Sequence, residues 1–105
     1  MSNIVADEFV VSYSEGNTKH TETTVRACIQ SALSYERIYS KTVIEFTTDE
    51  ILSMMTDLHS ISIGSLQNRI LCLESFCKWY AMQLNVKIDN VYTTITKEML
   101  LGCLD

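Results

Sequence analysis

Thiols and imidazoles are the groups in this sequence that could ligate a metal or act as nucleophiles. The chain has four cysteines and two histidines, namely Cys28, Cys72, Cys77, Cys103, His20 and His59. No two cysteines form a C-x-x-C pair, and neither histidine lies at a ligand spacing from a cysteine. We therefore expect no metal and no other cofactor. We predict four reduced, mostly buried thiols that pack as small hydrophobic side chains.

Positively charged side chains are the second group with functional potential, because they can bind phosphates. The net charge of −5 argues on its face against a nucleic-acid partner. The charges are unevenly distributed, however. Residues 19–41 carry four cations and two acids, residues 42–64 carry four acids and no cation, and residues 65–90 carry three cations and two acids. The folded chain could therefore present one basic face despite its acidic total.

The elements that position these groups are predicted to be helices. The 105 residues are 47% hydrophobic, enough for one domain with its own core, and include three glycines and no proline. A β-rich domain would need more of both residues for its tight turns. No apolar run approaches the ~18 residues of a membrane span, and residues 1–15 lack the basic start of a signal peptide. We expect an all-α, cytoplasmic domain without membrane contact or a small-molecule ligand.

Hydrophobic periodicity and capping residues predict a compact bundle of four to five helices. The expected helices cover residues 2–14, 21–41, 47–59, 62–84 and 96–104, and the expected N-caps are Thr21, Thr47, Ser62 and Thr96. The fourth helix carries the longest apolar stripe and is predicted to be central: Leu66, Ile70, Leu73, Cys77, Tyr80 and Leu84, widened by Phe76 and Trp79. Residues 42–46 are β-branched and apolar, and we predict an extended connector because a lone strand has no partner.

Residues 62–80 carry the clearest family resemblance. Eight positions there match the signature helix of the core-binding, SAM-like N-terminal domain of phage integrases and tyrosine recombinases: Ser62, Ser65, Leu66, Arg69, Leu73, Phe76, Lys78 and Trp79. Upstream, Glu8-Phe9, residues 21–26 and residues 44–55 resemble the first three helices of that domain, in the same order. The resemblance covers nearly the whole chain.

The resemblance implies a role in binding double-stranded DNA. In this family the second and fourth helices lie against the duplex, on the face opposite the catalytic domain, so that the two domains form a clamp. The parent protein is then expected to be phage- or bacterium-encoded, to carry out DNA integration and site-specific recombination, and to act with other protomers on DNA. Residues 96–101 resemble the first turns of the catalytic domain. We therefore expect a core-binding domain over residues 1–94, with residues 95–105 beginning a helix that leads to a C-terminal domain.

The starts of the second and fourth helices hold polar and cationic side chains that suit DNA. Short hydroxyl and amide groups near a helix N-terminus can contact phosphates, and Gln, Asn and Arg side chains can read base edges in the major groove. These residues make up the predicted interface: Lys19, His20, Thr23, Thr24, Arg26, Ser62, Ser65, Gln67, Asn68 and Arg69, with Lys78 nearby.

No catalytic constellation is expected in this chain. Strand transfer in the family needs a tyrosine nucleophile and a cluster of Arg, His and Lys side chains, and neither His20 nor His59 begins a His-x-x-Arg element. We therefore expect binding without enzyme activity. Two alternatives stay open: a recombinase-like transcriptional regulator or repressor without catalysis, and a helical protein–protein interaction module whose acidic third helix would meet a basic partner.

Overall fold

The computed structural model describes the backbone of residues 3–15 and 21–105, and the side chains of these residues from Asp7 onward. Over these ranges the chain forms five α-helices and no strand, which confirms the predicted all-α bundle. The helices are α1 (Asn3–Glu15), α2 (Glu22–Tyr39), α3 (Thr48–Thr56), α4 (Ile63–Leu84) and α5 (Lys97–Leu101). Single 3-10 turns lie at Val43–Glu45 and Val91–Thr94. None of the described helices has the length and apolarity needed to cross a bilayer.

Side-chain caps begin four of these helices at the predicted residues. The hydroxyls of Thr21, Ser62 and Thr96 each accept a hydrogen bond from the backbone N–H three residues later, at 3.2–3.3 Å. Thr47 accepts from the N–H of Glu50 at 3.2 Å, and its own N–H donates to the Glu50 carboxylate at 2.9 Å, which completes a capping box. Each cap satisfies a backbone donor that the first turn leaves unpaired.

Helix α4 is the centre of the bundle, as its stripe predicted. Leu66, Ile70, Leu73 and Phe76 are buried along it, and the ring of Phe9 on α1 meets Phe76 edge-on at a centroid distance of 5.1 Å. Two predictions for the stripe need qualification. Tyr80 is only partly buried against the core, and Leu84 is 51% exposed. Leu84 is the last residue of α4, and the next residue, Asn85, turns the chain away in the left-handed conformation.

The prediction of an extended connector over residues 42–46 is wrong. Val43–Glu45 forms a 3-10 turn, closed by the Glu45 carboxylate, which accepts from both the N–H and the hydroxyl of Thr42 at 3.0 Å. These bonds hold the pKa of Glu45 below its ordinary value. The turn is anchored inward, because Val43 is buried and its carbonyl accepts from the Tyr92 hydroxyl at 3.1 Å. A local acid thus outweighs the strand preference of the β-branched residues.

Helix ends also fall earlier than the apolar pattern suggested. Helix α2 ends at Tyr39 rather than near Lys41, because Ser40 takes a left-handed conformation with φ of 53°. Helix α3 ends at Thr56 rather than near His59, whose φ is 51°. The apolar pattern alone cannot detect the end of α3, since Leu58, two residues beyond it, still packs against the core.

The C-terminal segment packs into the same core as the other helices. Leu100 and Cys103 are buried there, and the backbone N–H of Asp105 donates to the Ser60 carbonyl at 3.0 Å. The proposed division into residues 1–94 and 95–105 stays a prediction. All four cysteines are buried free thiols, which confirms their predicted burial.

Candidate nucleic-acid interface

A groove of about 530 Å³ separates the first turns of α2 from the first turns of α4. Its walls come from three helices and the cap of α4: Tyr13, Thr24, Val25, Cys28, Ser62, Gly64, Ser65, Asn68, Arg69 and Cys72. We call this feature the α2–α4 groove. Hydroxyl, amide and guanidinium groups line it together with two thiols, so it is a mixed polar and apolar depression.

Helix α4 supplies one wall because of its own periodicity. Ser65, Asn68, Arg69 and Cys72 follow one another at intervals of three, one and three residues, which places them along one face of a helix. Ser62 caps this helix by accepting from the Ser65 N–H at 3.3 Å. The first turn therefore brings free backbone N–H groups and short side chains to the same end of the groove, where an anion would be favoured.

The start of α2 forms the opposite wall. Thr24 lies one turn into the chain from the cap residue Thr21, and their hydroxyl oxygens are 3.0 Å apart. Val25 and Cys28 continue this wall toward the core, where both side chains are buried. The groove therefore has a polar rim at the helix starts and a less polar floor.

Five of the predicted DNA-binding residues converge on this groove. They come from both helix starts, although about forty residues of chain separate the two segments, and they are Thr24, Ser62, Ser65, Asn68 and Arg69. Lys19 and His20 lie outside the described residues. Thr23 is exposed on the first turn of α2 but does not line the groove.

Two further predicted residues lie on another face of α4. Lys78 follows Arg69 by nine residues, which at about 100° per residue turns its side chain to the opposite side of the helix. Gln67 and Lys78 are eleven residues apart, or about 20° around the axis, so they share this second face. Lys78 lies in a separate depression with Met82 and Val86. Their role in DNA binding stays a prediction, and the groove does not include them.

Arg26 is engaged by acids of the same domain. Its guanidinium forms ion pairs with Asp7 on α1 and with Glu22 one turn earlier on α2, the latter at 3.0 Å. The hydrogen bonds that Arg26 donates to Asp7 and then to Glu22 raise its pKa. The pair with Asp7 joins residues 19 positions apart, so only the packing of α1 on α2 reveals it. The positive charge of Arg26 is therefore neutralised by these two carboxylates within the domain.

Sequence reasoning missed the contribution of Cys28 and Cys72 to this site. Cys72 lies three residues, or about one helical turn, after the predicted site residue Arg69, and Cys28 lies four residues after Thr24. The Cys72 thiol, together with the nearby Arg69, holds the pKa of Cys28 below its ordinary value. The helical spacing from Arg69 was the available signal for Cys72. Over the described residues, no group of three or more His, Cys, Asp or Glu side chains could hold a metal ion.

Comparison with known proteins identifies a family for most of the chain. The family described as the MrpR N-terminal core-binding domain matches residues 5–83, a range that contains every groove residue. The SPbeta prophage-derived uncharacterized protein YopR of Bacillus subtilis (strain 168) is 25% identical over 101 residues. That alignment covers 95% of this chain but only 30% of the relative's length. No solved structure matched the chain. The family match confirms the resemblance to a core-binding domain of integrase-like proteins.

Proposed function

The chain belongs to the MrpR N-terminal core-binding domain family, and from this premise we propose that it binds double-stranded DNA through the α2–α4 groove. The observation that carries the proposal is the convergence of Thr24, Ser62, Ser65, Asn68 and Arg69 from two distant segments. Hydroxyl groups and free N–H groups at a helix start suit phosphate oxygens, and Asn68 and Arg69 have the donors and acceptors that base edges require.

The electrostatic setting predicts weak binding by the isolated chain. Arg69 is the only cation among the described groove residues, and Arg26 on α2 is already paired with two acids. The net charge of −5 gives no long-range attraction to DNA. Affinity therefore depends on a few local contacts and on any partner domain or second protomer on the same duplex.

The salt dependence of binding tests this proposal. We expect the logarithm of the association constant to fall linearly with the logarithm of salt concentration, with a slope of about −0.9 for each phosphate neutralised. Few cations reach the groove, so the slope should be no steeper than about −3. Fluorescence anisotropy of a labelled duplex at a series of salt concentrations measures it. Absence of any binding at low salt would contradict the proposal.

The competing interaction-module hypothesis would use the acidic residues of 42–64, and their contacts argue against it. The Glu50 carboxylate pairs with Lys41 at 2.8 Å, and the Asp57 carboxylate accepts from the Tyr35 hydroxyl at 2.6 Å. Glu45 closes its own 3-10 turn. Three of the four acids are therefore engaged within the domain, and each would have to exchange its partner to bind a basic protein.

We further propose that this chain binds DNA without catalysing strand transfer. A nucleophilic tyrosine needs a lowered pKa or an adjacent base. Here the Tyr39 hydroxyl donates to the Glu50 carbonyl at 3.3 Å, and the Tyr92 hydroxyl donates to the Val43 carbonyl. The hydrogen bond that Tyr35 donates to Asp57 raises the pKa of Tyr35 to about 12. Incubation with a nicked duplex should leave no covalent protein–DNA adduct. An adduct that survives denaturation and disappears in Tyr13→Phe, the groove tyrosine, would overturn this proposal.

The role of the longer protein is a separate proposal, since the chain spans less than a third of its relative. We favour a phage-integrase-type recombinase, with a non-catalytic regulator as the second candidate. Reading the residues downstream of this domain separates the two. An Arg, a His-x-x-Arg element and a Tyr in order would assign recombination, and their loss would assign regulation of DNA by binding alone.

A further inference from the structure

Two thiols line the α2–α4 groove from opposite walls. Cys28 comes from α2 and Cys72 from α4, and each thiol shifts the pKa of the other. The Cys28 thiol also lies 3.9 Å from the Arg69 carbonyl, one turn before Cys72. Each cysteine is only 5% exposed, but the open groove gives a small reagent a path to both.

The surroundings make these two sulfurs unequal. The neighbouring Cys72 thiol, followed by the charge of Arg69, lowers the pKa of Cys28, whereas the Cys28 thiol and burial raise the pKa of Cys72. The thiolate is the reactive form of cysteine, so Cys28 is the nucleophile of the pair. Cys72 is placed to react with any product formed on it.

We propose that Cys28 and Cys72 form a redox-sensitive dithiol, which a hydroperoxide oxidises to a disulfide joining α2 to α4 beneath the groove. The Cys28 thiolate attacks the terminal peroxide oxygen, the O–O bond breaks, and the departing oxygen takes a proton to leave as an alcohol or water. Cys28 is then a sulfenic acid. The sulfur of Cys72 attacks that sulfur, the S–O bond breaks, and the hydroxide leaves as water with the proton of Cys72. The peroxide gains two electrons, and the two thiols lose them.

The other two cysteines lack this arrangement. Cys77 is fully buried in the core, and burial raises its pKa to about 12. The Cys103 thiol donates to the carbonyls of Leu52 at 3.5 Å and Met99 at 3.6 Å. Neither side chain lines the groove. Oxidation should therefore select one pair among four chemically identical side chains.

The disulfide would change the same groove to which we assign DNA binding, so this inference is linked to the proposed function. A disulfide would link its two walls covalently, so the separation of the α2 and α4 starts would no longer be free to adjust to a duplex. The dithiol itself does not depend on DNA binding, and its test contains no DNA. A failure of the disulfide is thus distinguishable from a failure of the proposed function.

The test is peroxide treatment of the folded chain, followed by alkylation of the remaining thiols. We expect a species about 2 Da lighter before alkylation that takes up two alkyl groups instead of four, and dithiothreitol should restore all four. Trypsin with a glutamyl endopeptidase cuts at Glu74, which separates Cys72 from Cys77. The linked peptides should carry Cys28 and Cys72. Their oxidation should be at least about tenfold faster than that of Cys77 or Cys103.

Variants separate the two steps. In Cys72→Ser the reaction should stop at the sulfenic acid of Cys28, which dimedone traps, whereas the control Cys103→Ser should still form the disulfide. The peptide map of the unmodified chain carries the test if a variant fails to fold. Equal oxidation of all four thiols, links only between separate chains, or four thiols that resist peroxide would each overturn the proposal.

Discussion

Replacing Leu73 with alanine is expected to lower the free energy of unfolding by about 2–5 kcal/mol. Leu73 is 1% exposed on the central helix α4, so removing its branched side chain leaves a cavity that the surrounding helices only partly fill. Urea unfolding followed by circular dichroism measures the change.

The matched control for Leu73 lies two residues earlier on the same helix. Leu71 is 54% exposed, so Leu71→Ala removes the same atoms at the surface and should cost less than about 0.5 kcal/mol. The pair isolates burial from helix propensity, because both substitutions exchange leucine for alanine within α4. Similar losses in the two variants, or a loss below about 1 kcal/mol for Leu73→Ala, would show that α4 is not the centre of the core.

Replacing Arg69 with alanine is expected to weaken DNA binding more than any other single change in the groove. If Arg69 contacts phosphate, the loss should be even across duplex sequences and should reduce the salt slope by about 1. If it reads a base edge, the loss should be about 1–3 kcal/mol at one base pair. Arg69→Lys distinguishes the two, since it retains the charge but not the two-pronged geometry.

The control for Arg69 is Arg37→Ala, which makes the same charge change at the exposed C-terminal end of α2, far from the groove. Its affinity should stay within about twofold of the unmodified chain, because exposed charges beyond a Debye length are largely screened. Thermal unfolding of both variants confirms that each is folded. Equal losses in the two variants would indicate attraction by overall charge and not by the groove.

Local rules predicted most of the helices, because their signals lie within one turn of the chain. Thr21, Thr47, Ser62 and Thr96 each cap a helix through an N–H three residues away, and the spacing of such a pair is visible in the sequence. The 3-10 turn at Val43–Glu45 has the same kind of signal, with an acid three residues after Thr42. There the β-branched composition favours an extended segment, and the capping pair outweighs it.

The candidate site was predictable only in part, because it depends on how helices pack. The groove residues of α4 follow from helical spacing, which groups Ser65, Asn68 and Arg69 on one face. The same spacing, applied from Arg69 to Lys78, would have placed Lys78 on the opposite side. The pairing of Arg26 with Asp7 and the meeting of Cys28 with Cys72 required the arrangement of α1, α2 and α4.

The central claim is that the α2–α4 groove binds duplex DNA, and a chemical-shift titration tests it most directly. The ¹⁵N-labelled chain is titrated at low salt with a duplex of about 20 base pairs, long enough to bind through phosphates alone. We predict that the largest shifts fall on the amides of residues 21–28 and 62–72. Shifts that cluster on residues 47–60 would contradict the claim, because they would place the interface on acidic α3 and support the interaction-module alternative.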